Sequence, residues 1–347
     1  MKLLIAPLNW GLGHASRCIP LVQRFLDEGH EVILGGDGDS LTLLRKHFPK
    51  LRYVHLAPLN LRYSAGSRQV WAMMRALPQL IAWAIKDHTL LKAVLREEHI
   101  DQIISDNRFG LYPSNSKPVS IYITHQLHIM LPKGWKWLEP LAERLHARIY
   151  CHYDEVWIPD YENLDQSLAG QLSHPTQMAN GKWPMANIQY IGPLSRFSIT
   201  NHQSPITNHQ SPITNHQYDV VAVLSGLEPH RTLLEREIIT RYTNHRTLIV
   251  QGLMARPNTR IKRGNITIVP YLSDTELADA LLGATHIIAR SGYSTVMDLH
   301  ALGLLTANGQ KPKARLELIP TPGQPEQEYL HTLLCQGSTA SLYQSGL

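Results

Sequence analysis

A chain of 347 residues is longer than one hydrophobic core usually serves, so two domains of the ordinary ~100 to 200 residues are expected. With 43% hydrophobic and 18% charged residues it reads as a globular protein, and 33 Lys and Arg against 28 Asp and Glu is too mild and scattered an excess for a nucleic-acid binder. Cys18, Cys151 and Cys335 are odd in number and lack CxxC spacing, which argues against a disulfide framework or a zinc site and for a reduced, cytoplasmic setting.

In chain order, the apolar run Lys2 to Leu8 reads as a first strand, too short for a signal-peptide core. Nowhere does the chain reach the ~20 uninterrupted apolar residues of a membrane span. A glycine turn, Gly11-Leu12-Gly13-His14, follows the strand and opens a helix expected over Ala15 to Glu28. Further strands are expected at Glu31 to Asp37, Arg52 to Pro58, Ile100 to Asp106, Val119 to His125, Asp154 to Asp160 and Ile188 to Leu194. Segments 70–85 and 127–141 mix Trp71, Met73, Met74, Trp83, Trp135 and Trp137 with Lys133 and Lys136. That mixture occurs in interfacial membrane anchors, although such stripes also build cores.

From Ser198 to Gln217 the unit Ile-Thr-Asn-His-Gln recurs three times, polar, Pro-bearing and with one apolar residue per copy. It cannot bury a face and reads as an expanded linker over 196–217, between domains at 1–195 and 218–347. His202, His209 and His216 have neither helix propensity nor other ligands beside them, so no metal site is assigned. Deleting Ser204 to Gln217 should leave melting temperature and donor affinity unchanged, since loop closure costs only about 0.6 kcal/mol per doubling of length. A large fall in either would show that the repeat packs or binds.

Beyond it, strands are expected at Asp219 to Gly226, Arg246 to Gly252, Ile266 to Leu272, Thr285 to Ala289 and Ala314 to Pro320, with a helix at Asp274 to Leu282. Strands alternating with helices predict parallel α/β layers, and the residues singled out below lie at the carboxyl ends of strands or in the turns and helix starts beyond them, where such sheets bind ligands. The segment Arg290-Ser291-Gly292-Tyr293-Ser294-Thr295-Val296-Met297-Asp298 follows one strand and opens a helix, so its small residues and first amides can cradle a phosphate. Asp298 is placed to accept ribose hydroxyls. With a glycine turn in each half, two facing α/β domains with a nucleotide-sugar between them are expected.

His14 has an ordinary pKa near neutrality and sits on the first glycine turn, as a general base would, and Asp106 is placed by topology to orient its ring. A helix-capping His14 and a turn-starting Asp106 are the alternatives. Arg17, one turn after His14, reads equally as an anion contact or a solvated side chain, and Thr124-His125-Gln126 as an acceptor-side strand end or an exposed loop. As a nicotinamide fingerprint, Gly11-Leu12-Gly13 would use Asp37 on the ribose, but Ser16 stands where the third glycine belongs.

Gly11-Leu12-Gly13-His14, the Arg290 to Asp298 segment, and Pro320-Thr321-Pro322-Gly323-Gln324-Pro325-Glu326-Gln327-Glu328-Tyr329 together resemble the GT-B glycosyltransferases of family 28. The best-known member adds N-acetylglucosamine from UDP to the lipid-linked muramyl precursor of peptidoglycan. The resemblance implies an α/β chain with two facing Rossmann-like domains, parallel sheets and an interdomain cleft. It implies transfer of a hexose or N-acetylhexosamine from a UDP-sugar to a sugar or lipid-linked acceptor, without cofactor or metal, by a cytoplasmic protein with candidate peripheral membrane contact. UDP-sugar hydrolysis on the same fold and a nicotinamide-dependent oxidoreductase are the alternatives.

Carried over residue by residue, the resemblance puts His14 in the base role and Gly11 and Gly13 on the donor side. Leu272 reads the uracil through its backbone, and Arg290, Ser291, Gly292, Ser294 and Thr295 hold the diphosphate, with Ser225 and Gly226 as a second turn near it. Asp298 stands where the family has a ribose-binding Glu. Gln327 and Glu328, with Gln324 before them, match a Gln-Gln pair on the donor sugar, and only the first is kept. Arg17, His125 and Gln126 are acceptor-side candidates. The connection Leu304 to Lys313 looks longer than in the family. Leu347 falls before the helix that crosses back in such proteins, so the second domain reads as truncated.

Overall fold

The structure is a computed structural model that describes residues 1–59, 69–115, 117–175, 187–198, 217–226, 228–305 and 314–335. The repeat from 199 to 216, most of the Leu304 to Lys313 connection and the C-terminal residues 336–347 lie outside the described residues, as do the side chains of Trp71, Met73 and Met74. The chain forms two compact units, Met1–Leu194 and Ser195–Leu347.

In the first unit, β1 (Lys2–Pro7), β2 (Glu31–Gly36), β3 (Tyr53–His55), β4 (Gln102–Asp106), β5 (Val119–Ile123), β6 (Glu155–Ile158) and β7 (Asn187–Tyr190) form one sheet in the order β3-β2-β1-β4-β5-β6-β7. Every pairing in it is parallel. Continuous apolar runs such as Leu3-Leu4-Ile5-Ala6, all at 0% exposure, are what strands covered on both faces require. The helices are α1 (Gly13–Asp27), α2 (Gly38–His47), α3 (Gln69–Glu97) and α4 (Glu139–Tyr150). The chain order reverses between β1 and β4, whose ends meet with Pro7 beside Asp106. Such a switch point leaves a crevice beyond the carboxyl ends of the strands.

The second unit repeats the plan with β8 (Val220–Val223), β9 (Thr247–Val250), β10 (Ile261–Arg263), β11 (Ile266–Val269), β12 (His286–Arg290) and β13 (Arg315–Ile319), ordered β10-β11-β9-β8-β12-β13. Its helices are α5 (His230–Arg241), α6 (Asp274–Gly283), α7 (Tyr293–Ala301) and α8 (Pro325–Cys335). A capping box between Ser273 and Glu276 starts α6. Here the switch point lies between β8 and β12. Phe197 packs into this unit's core with Val221, Leu248, Ile287 and Leu299. All the expected strands are present, although Arg52 to Pro58 contracts to Tyr53–His55. One strand, β10, was not expected; it lies antiparallel on β11 at the sheet edge.

Glu317, on β13, accepts from Arg241 at 2.6 Å and pairs with His286 at 3.1 Å. Burial alone would raise its carboxyl, but His286 and Arg241 hold it down at about 2 against an ordinary 4.5. Because the folded value lies below the unfolded one, the stabilisation is full above about pH 4.5 and lost as pH falls towards 2. Thermal melts of Glu317→Gln against wild type should therefore differ at pH 7 and converge at pH 2 to 3. A constant difference across that range would refute the assignment.

Candidate active site

The structure gathers the site residues expected from sequence into two sets, one on each unit. On the first unit, β1 leads into a turn where Gly11 takes φ 74°, a conformation that disfavours side chains, and α1 begins at Gly13. The N-cap position is Leu12 and no side chain caps the helix. His14 is therefore not a helix cap. Its Nδ1 lies 2.9 Å from Asp106 Oδ1, with the imidazole side chain 16% exposed and the carboxylate at 0%.

Asp106 closes β4 and is followed by Asn107 at φ 57°, the left-handed region that Asn tolerates best after glycine. Arg17 is not the solvated residue its position also allowed. It is 1% exposed, and its Nε donates to Asp106 Oδ2 at 2.6 Å while its Nη2 meets Oδ1. His125, at the end of β5, is 6% exposed and lies 3.1 Å from Arg17 Nη1. Thr124 holds the backbone here by accepting from the Gln126 amide at 3.1 Å. Cys18 Sγ also approaches Asp106 Oδ2, at 3.7 Å.

This geometry separates the charge states. Burial would push the Asp106 carboxyl up, but Arg17 and His14 hold it well below the usual carboxylate range, so it stays ionised. For His14, burial lowers the imidazole below its ordinary 6.5; Asp106 opposes this and Arg17 reinforces it. A neutral imidazole backed by a fixed carboxylate can accept a proton from a substrate hydroxyl.

A second buried cation was missed from sequence. Arg108, at 0% exposure, donates to Asp87 through Nε at 2.8 Å and to Asp37 through Nη1 at 2.8 Å, and reaches the Ala57 carbonyl at 2.7 Å. Asp37 also accepts from Asn9 at 3.0 Å. The carboxylate that a nicotinamide reading needs on a ribose is thus committed to the protein interior. Its partners lie 28 and 71 residues away, so no local spacing reveals them.

On the second unit, β12 ends at Arg290 and α7 begins at Tyr293 with Gly292 as N-cap and no side-chain cap. Ser294 and Thr295 lie in the first turn of α7, whose N-cap glycine offers no side chain to its amides. Arg290 is 4% exposed, and its hydrogen bonds run to the carbonyls of Pro320 at 3.0 Å and His230 at 2.8 Å. Nε has no partner. Burial lowers its pKa from 12.5 to about 10, with Glu237 acting weakly the other way. A desolvated guanidinium beside a helix N-terminus is an arrangement able to receive an anion.

Ser291 donates to the Gln327 carbonyl at 2.8 Å, and the Gln327 amide is held by the Thr321 backbone N–H and by Gln324. Glu328 follows on α8. Ser225 and Gly226, the latter at φ 93°, follow β8 on the other side of the switch point, and Leu272 follows β11. Asp298 faces the protein: Ser195 donates to Oδ1 at 2.7 Å and Arg196 pairs with Oδ2 at 3.3 Å. Burial raises its carboxyl, and Arg196 and Ser195 offset part of the rise. Among the described residues no cluster of His, Cys, Asp and Glu has a metal-binding arrangement.

No protein-family model matches the chain. It is 27% identical over 219 residues to a glycosyltransferase, described as uncharacterized, from Methanosarcina acetivorans, a match covering 56% of this chain and 50% of that protein. The chain thus spans half the length of that relative. A second glycosyltransferase of the same organism and description is 24% identical over 323 residues, covering 88% and 78% of the two chains. Among solved structures, the glycosyltransferase SnogD from Streptomyces nogalater superposes with a TM-score of 0.53 at 15% identity over 96% of this chain and 85% of that one. UGT2 of Phytolacca americana, solved with UDP-2-fluoro-glucose and pterostilbene, gives 0.52 at 14% identity over 97% and 83%. A putative UDP-N-acetylglucosamine 2-epimerase from Listeria monocytogenes also gives 0.52, at 13% identity over 96% and 88%. At these identities the structural likeness is one of fold: two parallel-sheet, Rossmann-like α/β units, as in GT-B glycosyltransferases.

Proposed function

We propose that this protein transfers a sugar from a UDP-sugar to an acceptor hydroxyl, with His14 as the general base. The observation that carries the reading is the His14–Asp106 pair, 2.9 Å apart at the switch point of the first unit. His14 Nε2 takes the hydroxyl proton as the acceptor oxygen bonds to the sugar's anomeric carbon. The bond from that carbon to the diphosphate breaks, and UDP leaves with the electron pair. Arg290 and the first amides of α7 receive the diphosphate charge. The donor sugar is a hexose or N-acetylhexosamine, and neither cofactor nor metal takes part, as the family 28 resemblance of the motifs implies. The names of the relatives and the UDP-sugar bound to a structural neighbour support the donor class.

Calorimetry tests the donor side, with UDP expected to bind more tightly than NAD. The reverse order would sink the proposal. Incubation with UDP-sugars, with and without a membrane extract, tests the reaction. Free sugar formed equally in both would establish hydrolysis instead.

We propose further that the acceptor is lipid-linked and is met at the inner, anionic face of a membrane by the first unit. On α3, Leu77, Ile81 and Ile85 are exposed at successive turns, Ile85 at 62%. Trp137, Leu141 and Leu145 do the same at and along α4, Trp137 at 73%. Between and beside them the exposed charges are positive, Lys86 on α3 and Lys133, Lys136, Arg144 and Arg148 near α4, whereas Glu97 is exposed at the far end of α3. Each of the positive charges is worth about 1 kcal/mol near an anionic surface. Trp83 has no part in this, being 5% exposed and bonded to the Ala57 carbonyl. No helix among the described residues is long and apolar enough to cross a membrane. Vesicles containing phosphatidylserine should sediment the wild type and not Trp137→Glu/Leu141→Glu. Equal binding of the two would refute the docking face.

A further inference from the structure

Arg17 sits within reach of two histidines and one carboxylate, and its donors constrain where their protons are. Besides its bonds to Asp106, Nη2 lies 3.0 Å from His14 Nδ1 and Nη1 lies 3.1 Å from His125 Nδ1. A guanidinium is donor-only, an ionised carboxylate acceptor-only, and a neutral imidazole has one donor and one acceptor. His125 Nδ1 faces an Arg17 N–H, so it presents its lone pair and the ring proton sits on Nε2. His14 Nδ1 is 2.9 Å from Asp106 Oδ1. Two lone pairs at that distance in a buried site would repel, so Nδ1 carries the proton and donates it to Asp106, and the His14 lone pair is on Nε2.

We infer that Arg17 is a positioning residue that, together with Asp106, sets opposite tautomers on the two rings: Asp106 accepts from His14 Nδ1 and outweighs the Arg17 Nη2 beside it, leaving the lone pair on His14 Nε2, while Arg17 Nη1 donates to His125 Nδ1 and leaves an N–H on His125 Nε2. This deepens the reading of His14 as the base and rests on it. One planar fork spans the carboxylate and both rings, which the single ammonium of a lysine cannot do. Burial lowers the His14 imidazole most, and the same cation adds to that against Asp106. The groups facing the ring are Asp106 from β4, Arg17 from its own helix and His125 from the end of β5. Without Arg17, only burial and His125 would oppose Asp106, and the imidazole would hold its proton to higher pH.

Long-range nitrogen–proton correlation spectra of the full chain, labelled with ¹⁵N-histidine, read each tautomer directly, with His14→Gln and His125→Gln assigning the signals. The expected result is a proton on Nδ1 of His14 and on Nε2 of His125. In Arg17→Met, His14 should titrate at higher pH, the acid limb of the turnover profile should move the same way, and KM for the UDP-sugar should stay unchanged. Arg17→Lys should keep the His14 titration close to wild type while His125 relaxes to a tautomer mixture. The same tautomer on both rings overturns the inference, as does an unmoved His14 titration in folded Arg17→Met. If Arg17→Met fails to fold, the wild-type spectrum decides the matter by itself. The spectra need no sugar transfer, so a failed transferase assay leaves this test intact. Transfer by a protein whose rings are alike would keep the base and remove Arg17's role.

Discussion

His14→Ala is expected to lower turnover by roughly a hundred- to ten-thousand-fold while UDP affinity stays within about twofold of wild type. The proton acceptor is lost, but the proposed diphosphate contacts stand on the other unit. The wild-type rate should rise with pH through a value below the ordinary 6.5 of histidine, because burial lowers the imidazole and Arg17 reinforces the shift. Asp106→Asn behaves differently from a simple orienting residue. Its carboxylate is also a counter-ion of Arg17, at 1% exposure, so the amide removes an ion pair from a buried cation. Breaking such a pair costs about 3 to 5 kcal/mol, or roughly 10 °C of melting temperature for a unit of this size. Near-normal turnover in His14→Ala would send the search for the base to Asp106 and His125. A melting temperature unchanged in Asp106→Asn would contradict the buried pair.

The parallel strands are legible because burial on both faces demands unbroken apolar runs, and Leu3 to Ala6 or Ile121 to Ile123 could be little else. β10 is not legible. Ile261-Lys262-Arg263 is exposed at every position along the sheet edge, where nothing selects for a pattern. For the site, topology pointed to His14 and Asp106 together, since one follows the turn after β1 and the other ends β4, although pattern alone left a helix cap and a turn open. Arg17 could not be resolved, because a residue three positions after His14 on a helix looks the same whether it faces water or an interior carboxylate. Arg108 and its partners Asp87 and Asp37 meet only through the fold, at separations of 21 and 71 residues. Asp298 illustrates the converse: its position in the motif pointed to a ribose, whereas Ser195 and Arg196, far upstream, already occupy its oxygens.

Arg290→Met should separate binding from stability on the second unit. The guanidinium is buried against two carbonyls, and its pKa is lowered from 12.5 to about 10. For a basic group whose folded value lies below its unfolded one, burying the charged form destabilises the fold at every pH below about 10, with relief only as pH rises through 10 to 12.5. A diphosphate bound at the start of α7, as proposed, would offset that cost by placing a counter-charge beside the guanidinium. Methionine removes the desolvated charge and with it the bonds to Pro320 and His230, each worth about 1 kcal/mol. Without nucleotide these effects oppose each other, and the melting temperature should move by less than about 3 °C in either direction. UDP affinity should fall roughly ten- to a hundredfold, the loss of one charge-assisted contact worth about 1.5 to 3 kcal/mol. The rise in melting temperature that UDP gives the wild type should shrink with it. If Arg290→Met instead unfolded well below the wild type while binding UDP normally, the arginine would be a structural tie between β12, α5 and the end of β13, and the phosphate would have to be held by the α7 amides alone.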